Sequence, residues 1–199
     1  MPDTTLTPPA HTVPVAFTRA QVDWLPWLEP MAPEEMTERH RLALVDAVRI
    51  KSPYFRLLAR DPDALEARTR ADKDIFYNTN AGLPRAEREL AATAVSRLNG
   101  CVYCASVHAR FSATYSKREA DVDRLLAEGV GTDLGESWNA VVAASVALTE
   151  TPLALGPEHV ARLRADGLDD LAIADVIQSA AFFNWANRLM LSLGEPALP

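Results

Sequence analysis

Asn99-Gly100-Cys101-Val102-Tyr103-Cys104-Ala105-Ser106-Val107-His108 decides how this chain is read. Asn-Gly is a strong break, so the helix that Pro84 opens should end there and a new one should carry the cysteines to about Tyr115. On an α-helix, residues three, four and seven apart share a face. Cys101, Cys104 and His108 have these spacings, so both thiols and the imidazole project from one stripe. Phe111 and Tyr115 continue the stripe, which predicts that it faces inward. The break places Cys101 at the first turn, with Cys104 close behind it. Free backbone N–H groups and the helix dipole there favour a thiolate. A histidine one turn away can take or relay a proton. Two thiols one turn apart can close to a disulfide and reopen.

Outward from this motif the chain reads as helices separated by clear punctuation. One is expected from Pro33 to Ile50, another from about Pro53, and a third from Pro62 to Tyr77, before Asn78-Thr79-Asn80-Ala81-Gly82 interrupts. Downstream, Ser116 and Glu119 have capping-box spacing, which predicts a helix from there to Gly129. Further helices are expected at 136–149, 157–166 and 170–192. No segment alternates with period two, so no sheet is expected and the fold class is all-α. Seven of the 14 prolines lie in the first 33 residues, with Trp24 and Trp27 among them. Residues 1–32 are therefore read as an extended arm anchored by its aromatic residues, on its own subunit or on a neighbour. Residues 33–199 are read as a single helical domain.

Composition narrows the function classes. Apolar residues make up 48% of the 199 positions, enough for an ordinary core. The formal net charge is −7, which argues against a partner that is nucleic acid or an anionic membrane surface. No stretch approaches the roughly 20 apolar residues that span a bilayer. The start of the chain lacks the pattern of a secretory signal, so a cytoplasmic location is expected. The two cysteines are too close in sequence for a structural disulfide to stabilise much. In a reducing compartment such a pair is catalytic or binds metal. Zinc on the two cysteines, His108 and Glu89 is the metal alternative.

Glu89 lies on the preceding helix, on a face it shares with the small residues Ala92 and Ser96, where another helix can approach closely. Ala91, Val95 and Leu98 form the apolar face. Spacing alone leaves Glu89 open as a solvated charge or a catalytic one, and does not separate it from Glu87. In the last helix Ile173, Ile177 and Ala180 set an apolar stripe that Asn184, Asn187 and Leu191 continue. The asparagines there could pair with another helix, line a pocket or cross an interface, with Arg188 capping the same network.

With these residues in view, the sequence resembles the AhpD-like alkylhydroperoxidase/carboxymuconolactone decarboxylase superfamily, and within it the peroxidase-related branch. The resemblance rests on Glu89, Cys101-Val102-Tyr103-Cys104 and His108. It extends to Leu83–Leu90, Ser96–Gly100 and Ala181–Arg188, and covers roughly residues 35–195. It implies an AhpD-like helical bundle acting as a homo-oligomer without a bound cofactor. It also implies roles: Cys104 as peroxidatic nucleophile, Cys101 as resolving thiol, Glu89 and His108 as proton relay. The substrate would be a hydroperoxide, and the reductant an external dithiol of lipoyl or thioredoxin type. Well-known members have a second histidine where this chain has Tyr103, a phenol that can donate but is a poor base. Three other readings stay open: a disulfide reductase or redox adaptor, a decarboxylase-like lyase of small molecules, and a zinc-binding structural module.

Overall fold

The computed structural model describes residues 5–199. Its helices are α1 (Glu38–Ala43), α2 (Pro53–Leu58), α3 (Pro62–Tyr77), α4 (Arg85–Leu98), α5 (Val102–Ser116), α6 (Glu119–Glu128), α7 (Glu136–Thr149), α8 (Pro157–Ala165) and α9 (Asp170–Leu193). Several starts follow directly from the sequence. Proline occupies the first turn of α2, α3 and α8, where its missing N–H costs nothing. Asp61 and Asp169 cap α3 and α9 by accepting from Ala64 and Ala172 backbone N–H at 3.1 and 2.8 Å.

Helix α4 is the axis of the bundle. It packs most extensively on α5 and also against α9 and α7. Every residue from Arg88 to Ser96 is buried, so this helix has no solvent face along two turns and more. Ala91, Ala92, Ala94 and Ser96 are small, and neighbours approach closely. One core cluster joins Leu90, Ala94, Ala105, Val141 and Val176. A second surrounds the thiols, with Trp24, Tyr54, Phe76, Phe183 and Met190.

Four expectations are corrected. The helix expected over 33–50 is broken: Thr37 caps the short α1, Val45 adopts φ 61°, and Asp46 caps a separate 3-10 turn, Ala47–Lys51, by accepting from Val48 N–H. Pro33 lies in a turn ahead of it. Ser116 does not cap α6; it ends α5, its hydroxyl donating to Ser112 O at 2.6 Å. The inward stripe on α5 fades at its end, where Tyr115 is exposed.

The fourth correction is the sheet. Strand β1 (Asp23–Pro26) pairs antiparallel with β2 (Gly194–Ala197), Trp24 opposite Pro196 and Pro26 opposite Gly194. Each strand is four residues long and carries a proline, so neither shows an alternating pattern. With only two strands both are edges, where proline is tolerated. The pairing seats Trp24 in the core, its Nε1–H donating to Met190 O at 3.3 Å. Residues 5–22 of the arm lack regular structure and lie on their own chain. Arg19 grips Asp123 of α6 with two hydrogen bonds of 2.6 and 2.8 Å, and Leu198 N–H donates to Thr12 O. Residues 1–4 of the expected arm lie outside the described residues. Among the described residues no helix is long and apolar enough to cross a membrane.

A Cβ on Gly194 would stand 2.3 Å from Leu25 O and 2.4 Å from the Trp24 ring. The carbonyl is backbone and cannot swing away. Gly194→Ala should therefore part β1 from β2 and cost about 1–3 kcal/mol of stability, read from denaturant unfolding. An unchanged midpoint with native Trp fluorescence would show that the arm is not anchored this way.

Candidate active site

The α4–α5 junction is built by a helix-ending motif. Asn99 is the C-cap of α4, and Gly100 follows with φ 80°, a left-handed conformation that costs glycine little. Cys101 N–H then returns to Ser96 O at 2.9 Å, the long bond of a Schellman motif. Cys101 thereby becomes the N-cap residue of α5, and Cys104 lies in its first turn.

Both cysteines are free and buried. Only Cys104 lines the cleft described below; Cys101 sits behind it. The two thiols share protons unequally. The Cys104 thiol holds Cys101 below the ordinary thiol value, against the opposing effect of burial, with help from the Cys104 backbone amide and the Asn187 side chain. Cys104 is pushed well above it, first by its bond to Cys101 and then by burial, while Asn187 and Arg68 oppose the shift. Of the two, Cys101 is therefore the sulfur the pair favours as thiolate, and Cys104 the one that holds its proton more tightly.

His108 stands one turn after Cys104. Its Nδ1 lies 2.5 Å from Glu89 Oε2. A carboxylate only accepts, so the proton of this bond sits on Nδ1 and Nε2 is left as the basic nitrogen. Glu89 is 1% exposed, and its other oxygen accepts from Arg85 Nε at 3.0 Å. Arg85 is itself held by the rings of Tyr77, Phe111 and Tyr115, with its guanidinium carbon 4.1–4.9 Å from their centroids. The His108 ring packs edge-on to Phe183, centroids 3.9 Å apart, and against Phe76 at 5.2 Å. An ordered line thus runs Arg85–Glu89–His108 toward the thiols.

These groups share one cleft of about 160 Å³ among α2, α3, α4, α5 and α9. Glu89, Cys104 and His108 lie in its wall, and Phe76, Tyr103, Phe111 and Phe183 supply rings. Tyr103 is pushed above the ordinary phenol value by burial first and by the Cys104 sulfur next, so it serves as a donor and not as a base. The ambiguity between the two glutamates is resolved by position. Glu87 accepts from Trp138 Nε1 at 3.2 Å on another side of α4, away from the thiols.

The late-helix residues divide. Asn187 is fully buried, donates to Ser96 Oγ at 3.0 Å and reaches both sulfurs. Asn99 Nδ2 donates to Asn184 and Asn187, 3.2 Å each. Asn184 therefore ties α9 to the junction and is not in the cleft wall. Arg188 does not cap this network. One residue past Asn187 is a rotation of about 100°, which carries Arg188 out to an exposed position. Asn187 bears out the expectation that an asparagine of this stripe pairs with another helix. The sequence reading does not reach Arg85, Arg68 and Tyr54; of these Arg85 has a signal, standing four residues before Glu89. Among the described residues no three His, Cys, Asp or Glu side chains converge as a metal site.

The proton sharing has consequences of opposite sign in the two single variants. Cys104→Ala removes the group that most depresses Cys101, so the Cys101 titration should move up. Cys101→Ala removes the group that most raises Cys104, so that titration should move down. Thiolate ultraviolet absorbance against pH measures both; shifts of the same sign in the two variants would refute the shared proton.

Residues 62–147 match the carboxymuconolactone decarboxylase family. No curated protein matches the chain. Solved structures do. An uncharacterized peroxidase-related protein from Ralstonia eutropha JMP134, described as an alkylhydroperoxidase AhpD core, superposes with a TM-score of 0.69 at 22% identity, covering 82% of this chain and 87% of its own. A peroxidase-related protein from Silicibacter sp. TM1040 gives 0.69 at 22%, covering 84% and 88%. The debrominase Bmp8 in its apo form gives 0.66 at 18%, covering 82% and 88%. The chain thus carries a match to the carboxymuconolactone decarboxylase family from α3 into α7, on a helical fold it shares with the AhpD-like structures.

Proposed function

We propose that the chain is a dithiol-dependent reductase of hydroperoxides. The observation that carries this reading is the buried Glu89–His108 pair, backed by Arg85, in the same cleft wall as the Cys104 thiol. Cys104 is the cleft-facing sulfur. Its proton passes to the Cys101 thiolate or to His108 Nε2, and the Cys104 thiolate attacks one oxygen of the peroxide. The O–O bond breaks, the leaving alkoxide takes a proton to become an alcohol, and Cys104 becomes a sulfenic acid. Cys101 displaces its hydroxyl as water, giving the Cys101–Cys104 disulfide. An external dithiol, of lipoyl or thioredoxin type, restores both thiols by exchange and leaves oxidised. Tyr103 donates a hydrogen bond within the cleft. No cofactor takes part, and the working form is a homo-oligomer.

A second reading keeps the dithiol and changes the oxidant. The cleft is walled by rings, and the debrominase neighbour has been captured, as a cysteine-to-alanine variant, with 2,3,4-tribromopyrrole. The same thiol pair could replace a ring halogen by hydrogen: two thiols become a disulfide, and the halide leaves with a proton. A disulfide reductase with neither activity is the remaining redox alternative. A lyase would leave the thiol pair idle.

Peroxide consumption with a dithiol reductant tests the proposal on wild type and four variants. Cys104→Ser should abolish turnover. Cys101→Ser should allow at most one oxidation per chain, because nothing resolves the sulfenic acid. His108→Ala should lose about 10²–10⁴-fold of the rate. Glu89→Gln should fall between His108→Ala and wild type, since the amide still contacts the imidazole. Equal peroxide loss in all five proteins would eliminate the mechanism. Halide release from a bromopyrrole, with no peroxide loss, would select the second reading.

A further inference from the structure

The cleft has a second polar corner that the dithiol cycle does not use. Arg68 projects from the middle of α3 with its side chain 9% exposed, and Tyr54 from the first turn of α2 is 6% exposed. Both line the cleft with Cys104. The two side chains stand together, and the Tyr54 hydroxyl and the Arg68 Nε and Nη1 have no partner with full hydrogen-bond geometry. Arg68 Nη1 lies 3.4 Å from Asp72 Oδ2, an ionic contact without hydrogen-bond geometry. That carboxylate is shared, because Arg49 Nη2 donates to the same oxygen at 3.3 Å. Arg49 Nη1 is likewise unpartnered. Two guanidiniums against one carboxylate leave this wall with one positive charge in excess. Across the cleft Arg85 and Glu89 pair with each other, so that carboxylate does not offset it.

Buried donors left without acceptors are costly, and a buried cation more so. Here the cation is held in place as well as buried. The rings of Phe55 and Phe182 lie 5.3 and 5.2 Å from the Arg68 guanidinium carbon. A guanidinium fixed in this way is a preorganised donor site for a carboxylate, whose two oxygens match its fork. Apart from this corner and the Glu89–His108 pair, the cleft is lined mainly by rings and apolar side chains.

We propose that the cleft binds apolar, ring-bearing molecules that carry one carboxylate, seated on Arg68 and Tyr54 with the ring against Phe76 and Phe183 beside Cys104. This deepens the dithiol reading by naming a substrate class. In the reduced protein a Cys104 thiolate, when it forms, competes for the same positive charge. In the disulfide form neither sulfur is charged, and the excess charge is left to the ligand.

Benzoate and its neutral analogue benzamide are the probes, titrated calorimetrically into the full-length protein in its reduced and disulfide forms. A charge-assisted hydrogen bond to a fixed guanidinium corresponds to at least about tenfold in affinity. Wild type should prefer benzoate by that margin, more so when oxidised. Arg68→Gln should bind the two probes equally. Tyr54→Phe should weaken benzoate a few-fold and leave benzamide unchanged. Equal affinities in wild type, no binding of either probe, or a benzoate preference that survives Arg68→Gln would each overturn the proposal. If Arg68→Gln does not fold, the wild-type comparison and Tyr54→Phe still decide. Cys104→Ser should retain the preference. Should peroxide and halide assays both fail while the preference holds, the dithiol reading falls and the carboxylate site stands.

Discussion

Glu89 is a carboxylate almost wholly removed from water, and much of the fold can be understood as the means of keeping it partnered. A buried, unpaired carboxylate would be strongly destabilising. Two partners meet it from different directions: Arg85 from one turn earlier on its own helix and His108 from the next helix. The first is local and follows from sequence spacing. The second exists only if α5 folds back along α4 in one register. The Glu89–His108 bond therefore ties catalytic geometry to tertiary structure, because a slip of α5 would strand the charge and misplace the thiols together.

That register is set at the turn between the two helices. The Schellman bond from Cys101 to Ser96 fixes where α5 begins, and Gly100 supplies the left-handed step. Asn187 then reads the result from a third helix. Its amide binds Ser96 Oγ and faces the sulfurs, while Asn99 joins Asn184 and Asn187 from the end of α4. Small side chains at Ala92 and Ser96 make this close approach possible. The asparagine network thus couples the ends of three elements to the position of two sulfur atoms.

The face shared by Cys101, Cys104 and His108 was legible because helical period and a sharp Asn-Gly break are both written locally. The choice between Glu89 and Glu87 was not. Amphipathic logic assigns charges to a solvent face, and α4 has none from Arg88 to Ser96. Arg68 was hidden for the opposite reason. It sits in a run of charges on α3, where any one of them looks solvated, and only tertiary packing buries it against Phe55 and Phe182. The broken first helix turns on Val45 at positive φ, which no residue preference announces. The short sheet depends on chain ends 170 residues apart, and such pairing leaves no local trace.

The distribution of charge in the site also bears on how a thiol enzyme avoids wasteful oxidation. The thiolate is the reactive form, and here the pair favours it on Cys101, behind the cleft, and disfavours it on the cleft-facing Cys104. On the proposed cycle, the sulfur that meets small molecules is the less reactive one until its proton moves. A ligand that occupies the cleft changes that balance, because it excludes water and strengthens each charge interaction around His108 and Cys104. A carboxylate on Arg68 would remove a cation that favours the Cys104 thiolate, so proton acceptance would fall more heavily on the Glu89–His108 pair. Substrate anchoring and thiol activation would then be carried by different basic groups, Arg68 for one and His108 for the other. That division gives a physical reason for one small cleft to hold both a buried guanidinium and a buried imidazole–carboxylate pair.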